Sequence, residues 1–278
     1  MTPVRKAGPT ALILATLFGL CLYSPQSFAA WTQPKGEGLV ITTFSTYHAD
    51  ARFDALGGRA EAGGYTKQEV SAYGVYGLTA ALTLGAQPVF TRVRANSPAG
   101  GGRRTLSGVT QMEIFARQRM AYGEDWIFSA QALVKFSGQD AVDREPLLES
   151  NRREMEARLL YGRSGRLGKT LRDLEYFSSV ETGLRARSND AADQWRADAA
   201  VGVRFRKHYQ LIGQSINSIS LRRAEDSDPS AFDLYKAQIS LLRDLPGKIS
   251  VQLGASREYA GRNISAGDTL FIAIWSRF

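Results

Sequence analysis

Apolar and polar residues alternate along most of the chain after residue 38. In 126–137, Trp126, Phe128, Ala130, Ala132, Val134 and Phe136 share one parity while Ser129, Gln131 and Lys135 hold the other. A period of two over such a length marks a β-strand with two chemically different faces. Comparable segments occupy 38–48, 68–78, 82–94, 109–122, 126–137, 152–161, 174–187, 195–206, 209–221, 232–242, 248–257 and 268–278. Connections at 50–64, 95–106, 138–150, 222–231 and 259–267 are long. Those at Thr79–Ala81, Gly123–Asp125, Lys207–His208 and Leu245–Gly247 are tight; 188–193 is a shorter member of the long series, and 162–169 a longer member of the tight one. An even strand count with alternately long and short connections predicts an all-β chain: a transmembrane up-and-down antiparallel β-barrel of about 12 strands. The pattern leaves the facing of the first and ninth strands open, and Pro88 predicts a bulge because it cannot donate to a ladder.

The aromatic residues give the apolar face its meaning. Tyr76, Tyr122, Trp126, Tyr161 and Phe205 lie beside the short turns; Phe136 and Trp195 lie near the long loops on the same parity. Rings at both ends of a band of Ala, Val, Leu and Ile are the girdles of a membrane barrel, whose amphipathic side chains sit at the two interfaces. A soluble barrel or sandwich would instead turn its large aromatics inward.

The N-terminus supports export. Arg5 and Lys6 precede an apolar run, 11–23, and then Ser27-Phe28-Ala29, the order of a secretory signal with cleavage before Ala30. That run is shorter than the roughly 20 residues of a spanning helix. The chain therefore divides into a signal peptide, 1–29, and a barrel, 30–278. Cys21 is the single cysteine and leaves with the signal, so no disulfide or thiolate metal site is expected in the mature chain.

The last strand, Asp268–Phe278, places Leu270, Ile272, Ile274 and Phe278 on one parity and stops on the aromatic ring. It resembles the C-terminal signature of Gram-negative outer-membrane β-barrels. The resemblance implies residence in the outer membrane and recognition of this strand, through Phe278, by the barrel-assembly machinery. The hairpin Tyr76-Gly-Leu-Thr-Ala-Ala-Leu-Thr-Leu-Gly85 is similar to hairpins of putative outer-membrane transporters of the phenol-degradation meta-pathway type, with Ala80-Ala81 in place of their usual Asp-Arg.

The formal charge of +8 falls to +6 once Arg5 and Lys6 are removed. Export and the scattering of the basic residues argue against nucleic acid as a partner; outer-membrane lipids and small solutes remain. On the parity opposite the apolar face lie Arg117, Arg119, Arg158, Arg185, Arg187, Arg196, Arg204 and Arg206, with Lys135 and Lys236. Glu154, Glu156, Glu175, Glu181 and Asp198 share that parity, with Glu69 and Glu113. Such groups must line the lumen, since an Arg facing the lipid midplane costs roughly 2–4 kcal/mol.

Two readings fit that lining. The arginines either form a track in a narrow passive channel favouring small anionic or polar solutes, or they pair with the acids and brace a closed structural barrel. A lipid hydrolase is a third class, but only His48 and His208 could serve as a base, and no Gly-x-Ser-x-Gly motif is present. No catalytic residue, cofactor or metal site is expected.

Overall fold

The computed structural model describes residues 30–96, 103–137, 152–166, 174–222 and 230–278. The signal peptide, 1–29, and the loop expected at 138–150 lie outside the described residues, as do parts of three other connections. The described chain forms twelve strands: β1 Gly38–Phe53, β2 Arg59–Gly77, β3 Leu82–Asn96, β4 Arg103–Tyr122, β5 Trp126–Ser137 and β6 Arg152–Arg166, followed by β7 Glu175–Arg187, β8 Gln194–Phe205, β9 Tyr209–Ser220, β10 Asp233–Leu245, β11 Ile249–Arg262 and β12 Ile264–Arg277. Each strand pairs antiparallel with its chain neighbours, and β1 pairs with β12 to close the barrel. Closure leaves no free sheet edge.

Two of the long connections expected, 50–64 and 259–267, are instead largely strand. β1 and β2 run on to a five-residue turn, 54–58, in which Asp54 Oδ1 accepts from the Leu56 and Gly58 backbone N–H groups, both at 2.8 Å. β11 and β12 meet across Asn263 alone, whose φ is 51°. These stretches rise beyond the apolar belt, where Ala51, Phe53 and Ala266 pack inward with Ile264 while Asp50 and Arg52 are exposed outside. Backbone pairing continues there although the outward apolar residues that mark the strands in the sequence stop.

Bulges correct the facing of individual residues. The β2–β3 pairing runs to Ser71–Val89 and resumes at Gly74–Ala86, so the ladder is interrupted opposite Pro88. The β3–β4 register shift itself falls between Val89 and Phe90. It turns Thr110 inward against Thr91, their hydroxyl oxygens 2.8 Å apart, rather than onto the Met112 face. A second shift, between Arg119 and Ala121, pairs Tyr122 with Ile127. Ile127 belongs to the inward parity of β5 and is buried. Tyr122 thus leaves the outward parity expected of it and caps the rim, with the Arg119 guanidinium 4.4 Å from its ring centre.

The remaining parity holds. Val180, Val201, Ile239, Leu253 and Leu270 face outward and are more than half exposed on the isolated chain, as a lipid-facing band must be. The two strands left open by the pattern resolve cleanly. Leu39 and Tyr47 of β1 and Ile212 of β9 are buried inward, while Phe44 and Leu211 face out.

Candidate functional site

The lumen has three zones. The first is a mesh of ion pairs on the wall formed by β5–β8. Cross-strand register places Lys135, Glu154 and Arg187 in one row, and Glu156 beside Arg185 in the next. Glu154 accepts from Arg185 at 3.1 Å and Arg187 at 3.2 Å, with Lys135 at 3.7 Å. Glu156 bridges Arg185, at 2.5 Å, and Arg158. Arg158 reaches on to Glu181 and Asp198, both at 3.0 Å, and Arg196 lies 3.8 Å from Asp198. Gly183 makes that reach possible, because a Cβ there would lie 2.7 Å from Arg158 Cγ. Acids and bases alternate along this wall, so each charge in a water-poor interior has an opposite neighbour.

The second zone closes the half of the lumen nearest the short turns and the start of β1, the periplasmic half in a barrel of this kind. Leu39, Val75, Phe115, Leu133, Phe177, Ile212, Leu242, Ala273 and Trp275, from eight different strands, turn inward and pack together, each at most 6% exposed. Glycines on neighbouring strands receive the rings: a Cβ at Gly85 would lie 2.2 Å from Phe115, and one at Gly202 would lie 2.0 Å from Phe177. The segment preceding β1 enters the barrel beneath this layer. Arg117 Nη1 donates to the Trp31 carbonyl at 3.1 Å, Ser129 Oγ donates to the Ala30 carbonyl at 2.6 Å, and Gln33 N donates to Thr83 Oγ1 at 2.7 Å. Trp31 packs against Ile127, Leu160 and the apolar layer, in the space Gly162 leaves open.

The third zone is a cavity of about 730 Å³. Its floor is set by Tyr73, Phe115, Phe177 and Trp275. Tyr47, Tyr65, Lys67, Glu69, Lys236 and Glu258 line it farther toward the extracellular end. Tyr47 donates to Glu258 at 2.6 Å, and Lys67 pairs with Glu69 at 3.2 Å. Among the described residues, no carboxylate lies within ion-pairing distance of the Lys236 ammonium. The lining holds four bases (Lys67, Arg117, Arg158 and Lys236) and four acids (Glu69, Glu113, Glu181 and Glu258), so its formal charge is balanced.

Not every residue expected in the lumen joins these zones. Arg117 does so apart from the mesh, held by Gln131 Oε1 at 2.9 and 3.1 Å. Arg204 pairs at the periplasmic end with Asp244, at 2.5 Å, and Glu175 lies 3.8 Å from Arg166. Arg119 belongs to the rim. Arg206 is not in the lumen at all: β8 ends at Phe205, and Arg206 sits exposed in the following turn with φ of 49°. The expected single track of arginine along β4, β6, β7 and β8 is therefore broken into separate groups, and the acids neutralise those on β6, β7 and β8 that face the lumen. His48 faces outward on β1, 3.3 Å from the Thr66 hydroxyl, and His208 is exposed in a periplasmic turn. The N-terminal segment and the inward apolar layer were missed from sequence. Inward apolar residues alternate with outward apolar ones there, which erases the period-two contrast.

Tyr76, Trp126, Phe136, Tyr161 and Trp195 are exposed on the outer surface, and Phe205 is half-buried. Trp126 stacks on Tyr161 at 6.5 Å, and Phe205 on Tyr209 at 5.9 Å. Phe278 exchanges two backbone hydrogen bonds with Gly38, both 3.0 Å, and so fastens the end of the chain to its first strand.

Among solved structures, the chain is similar to the COG4313 outer membrane channel from Pseudomonas putida F1, at 17% identity and a TM-score of 0.69 over 92% of this chain and 99% of that one. It is also similar to the NanC porin (9% identity, TM-score 0.51, 84% and 98% covered) and to the KdgM porin (7%, 0.50, 86% and 99%). No family model matches the sequence, and no curated protein matches it. At such low identity these likenesses concern the fold. The fold is that of an outer-membrane β-barrel. Its apolar belt and aromatic girdles fit the chain to the outer membrane of a Gram-negative bacterium.

Proposed function

We propose that the barrel is a passive channel for small anionic or polar solutes, entered from the extracellular side and restricted by the chain's own N-terminal segment. The observation that carries this reading is the 730 Å³ cavity with mixed polar lining above the apolar layer. A barrel serving only as a brace has no use for a vestibule of this volume whose walls hold Lys236 without a carboxylate in contact. The balanced lining means that selectivity is mild and arises from where charges sit rather than from their sum.

The second reading, a closed structural barrel, draws on the ion-pair mesh and the packed apolar layer. Planar-bilayer recording on the purified full-length chain separates the two. The channel reading expects small, discrete conductance steps with a reversal potential displaced modestly toward the anion equilibrium. The structural reading expects no steps at any voltage. A cation-selective pore would defeat the anion preference. Assembly is proposed to depend on Phe278: its deletion should lower the amount of heat-modifiable barrel in the membrane fraction.

A further inference from the structure

On the outer surface, the cross-strand register of β12, β1, β2 and β3 stacks two unlike rows. The lower row is Ile272, Phe44, Val70 and Phe90; the row one step nearer the extracellular end is Leu270, Thr46, Gln68 and Arg92. All eight belong to the lipid-facing parity, and together with Leu253 they border a groove of about 540 Å³ on the outside of the wall. Its volume falls in the range of small-molecule clefts, roughly 300–1,000 Å³. One further step up, on the same face of β3, stands Arg94.

Arg92 and Arg94 are two residues apart on one strand, so their Cα atoms are roughly 7 Å apart and their side chains share a face. Among the described residues, neither makes a hydrogen bond or an ion pair. Both point toward the membrane just above the aromatic ring of Phe90, at the level where the extracellular leaflet changes from hydrocarbon to headgroup. Guanidinium groups at that depth match phosphate oxygens in geometry and charge. Below them the groove offers an apolar floor to a hydrocarbon chain, with Thr46 and Gln68 between as neutral hydrogen-bonding groups.

We propose that this groove binds one lipid of the extracellular leaflet carrying a phosphate monoester on its headgroup, with an acyl chain against Phe44, Val70 and Phe90 and the phosphate on Arg92 and Arg94. The site lies on the opposite side of the wall from the lumen and does not rest on the channel reading.

The test uses the purified full-length barrel in neutral detergent, with thermal unfolding followed by heat-modifiable gel mobility. Bis-phosphorylated lipid A in mixed micelles should raise the midpoint by several degrees, whereas dephosphorylated lipid A, phosphatidylethanolamine and inorganic phosphate should not. Arg92→Ser with Arg94→Ser should abolish the rise. Val70→Trp, which fills the groove and leaves both charges in place, should abolish it as well; neither change should alter single-channel conductance. An equal rise in both variants would overturn the site. An equal rise with inorganic phosphate would overturn the lipid as its occupant.

Discussion

Arg117 gives three of its donors to two fixed acceptors: the Gln131 side chain and, through Nη1 at 3.1 Å, the backbone carbonyl of Trp31. A lumen arginine is thereby committed to holding the N-terminal segment in the periplasmic mouth. Ser129 and Thr83 hold the segment by further hydrogen bonds, Ala30 and the Trp31 indole pack against Ile127 and Leu160, and Gly36 and Glu37 pair with the Gly77 backbone at 2.8 and 2.9 Å.

The backbone pairing with Gly77 fixes the end of the segment next to β1, so the indole is the part whose removal tests the plug. Trp31→Ala removes the indole, and Gly162→Val drives it out, since a Cβ at Gly162 would lie 2.5 Å from the ring. Both variants should increase single-channel conductance over the wild type without changing strand content by circular dichroism. Conductance unchanged in both would mean that the apolar layer, not the segment, sets the resistance.

The two faces of β8 should tolerate charge very differently. Val201 is 53% exposed on the lipid side, whereas its neighbour Ala200 lines the cavity. Val201→Arg should destabilise the barrel by roughly 2–4 kcal/mol, as expected for an arginine at the bilayer midplane. Ala200→Arg should cost far less, because its guanidinium can reach lumen water. Reversible urea unfolding in lipid vesicles measures both, and equal costs would contradict the facing of this strand.

Much of this architecture was legible because alternation is a direct consequence of the pleat: on β5, every second side chain meets lipid. Legibility ended where the two faces stopped differing. Above the membrane the outward faces of β1, β2, β11 and β12 lose their apolar residues and only a small cluster, Ala51, Phe53, Ala266 and Ile264, turns inward, so strands read as loops. In the periplasmic half both faces are apolar, so Phe115, Phe177 and Trp275 gave no sign of filling the lumen. Bulges add a second limit. The one between Arg119 and Ala121 inverts parity for Tyr122, and nothing in the local residue types announces it. Ion-pair partners were visible as a population of charges but not as pairs, since pairing follows register, and Glu154 meets Arg187 across 33 residues of chain.

The mesh makes a stability prediction that differs from a transport prediction. Glu156, whose side chain is fully buried, is shared between Arg158 and Arg185. Glu156→Gln takes one anion from each guanidinium, but Arg185 keeps Glu154 and Arg158 keeps Glu181 and Asp198, so the cost should fall below the roughly 3–5 kcal/mol of a buried charge left without a partner. Unfolding by urea should show a measurable loss smaller than that while the reversal potential stays fixed. A large change in ion selectivity at unchanged stability would instead assign this wall to the conduction path.

The contact between Phe177 and Gly202 offers a test of the apolar layer itself. The two residues are directly paired across β7 and β8, and the ring lies over the glycine so closely that a Cβ would fall 2.0 Å from Cε1. Gly202→Ala must therefore displace the ring into a layer that is already packed, at a cost of roughly 1–3 kcal/mol for overpacking. Phe177→Leu alone removes the ring and leaves a void, which also destabilises. The double variant, Phe177→Leu with Gly202→Ala, exchanges the void for the added methyl and should be more stable than the sum of the single changes implies. A double-mutant cycle on unfolding free energies measures that coupling directly. A coupling near zero would mean that the ring does not rest on Gly202, and that the periplasmic half of the lumen is more open than the packing of Phe177 requires.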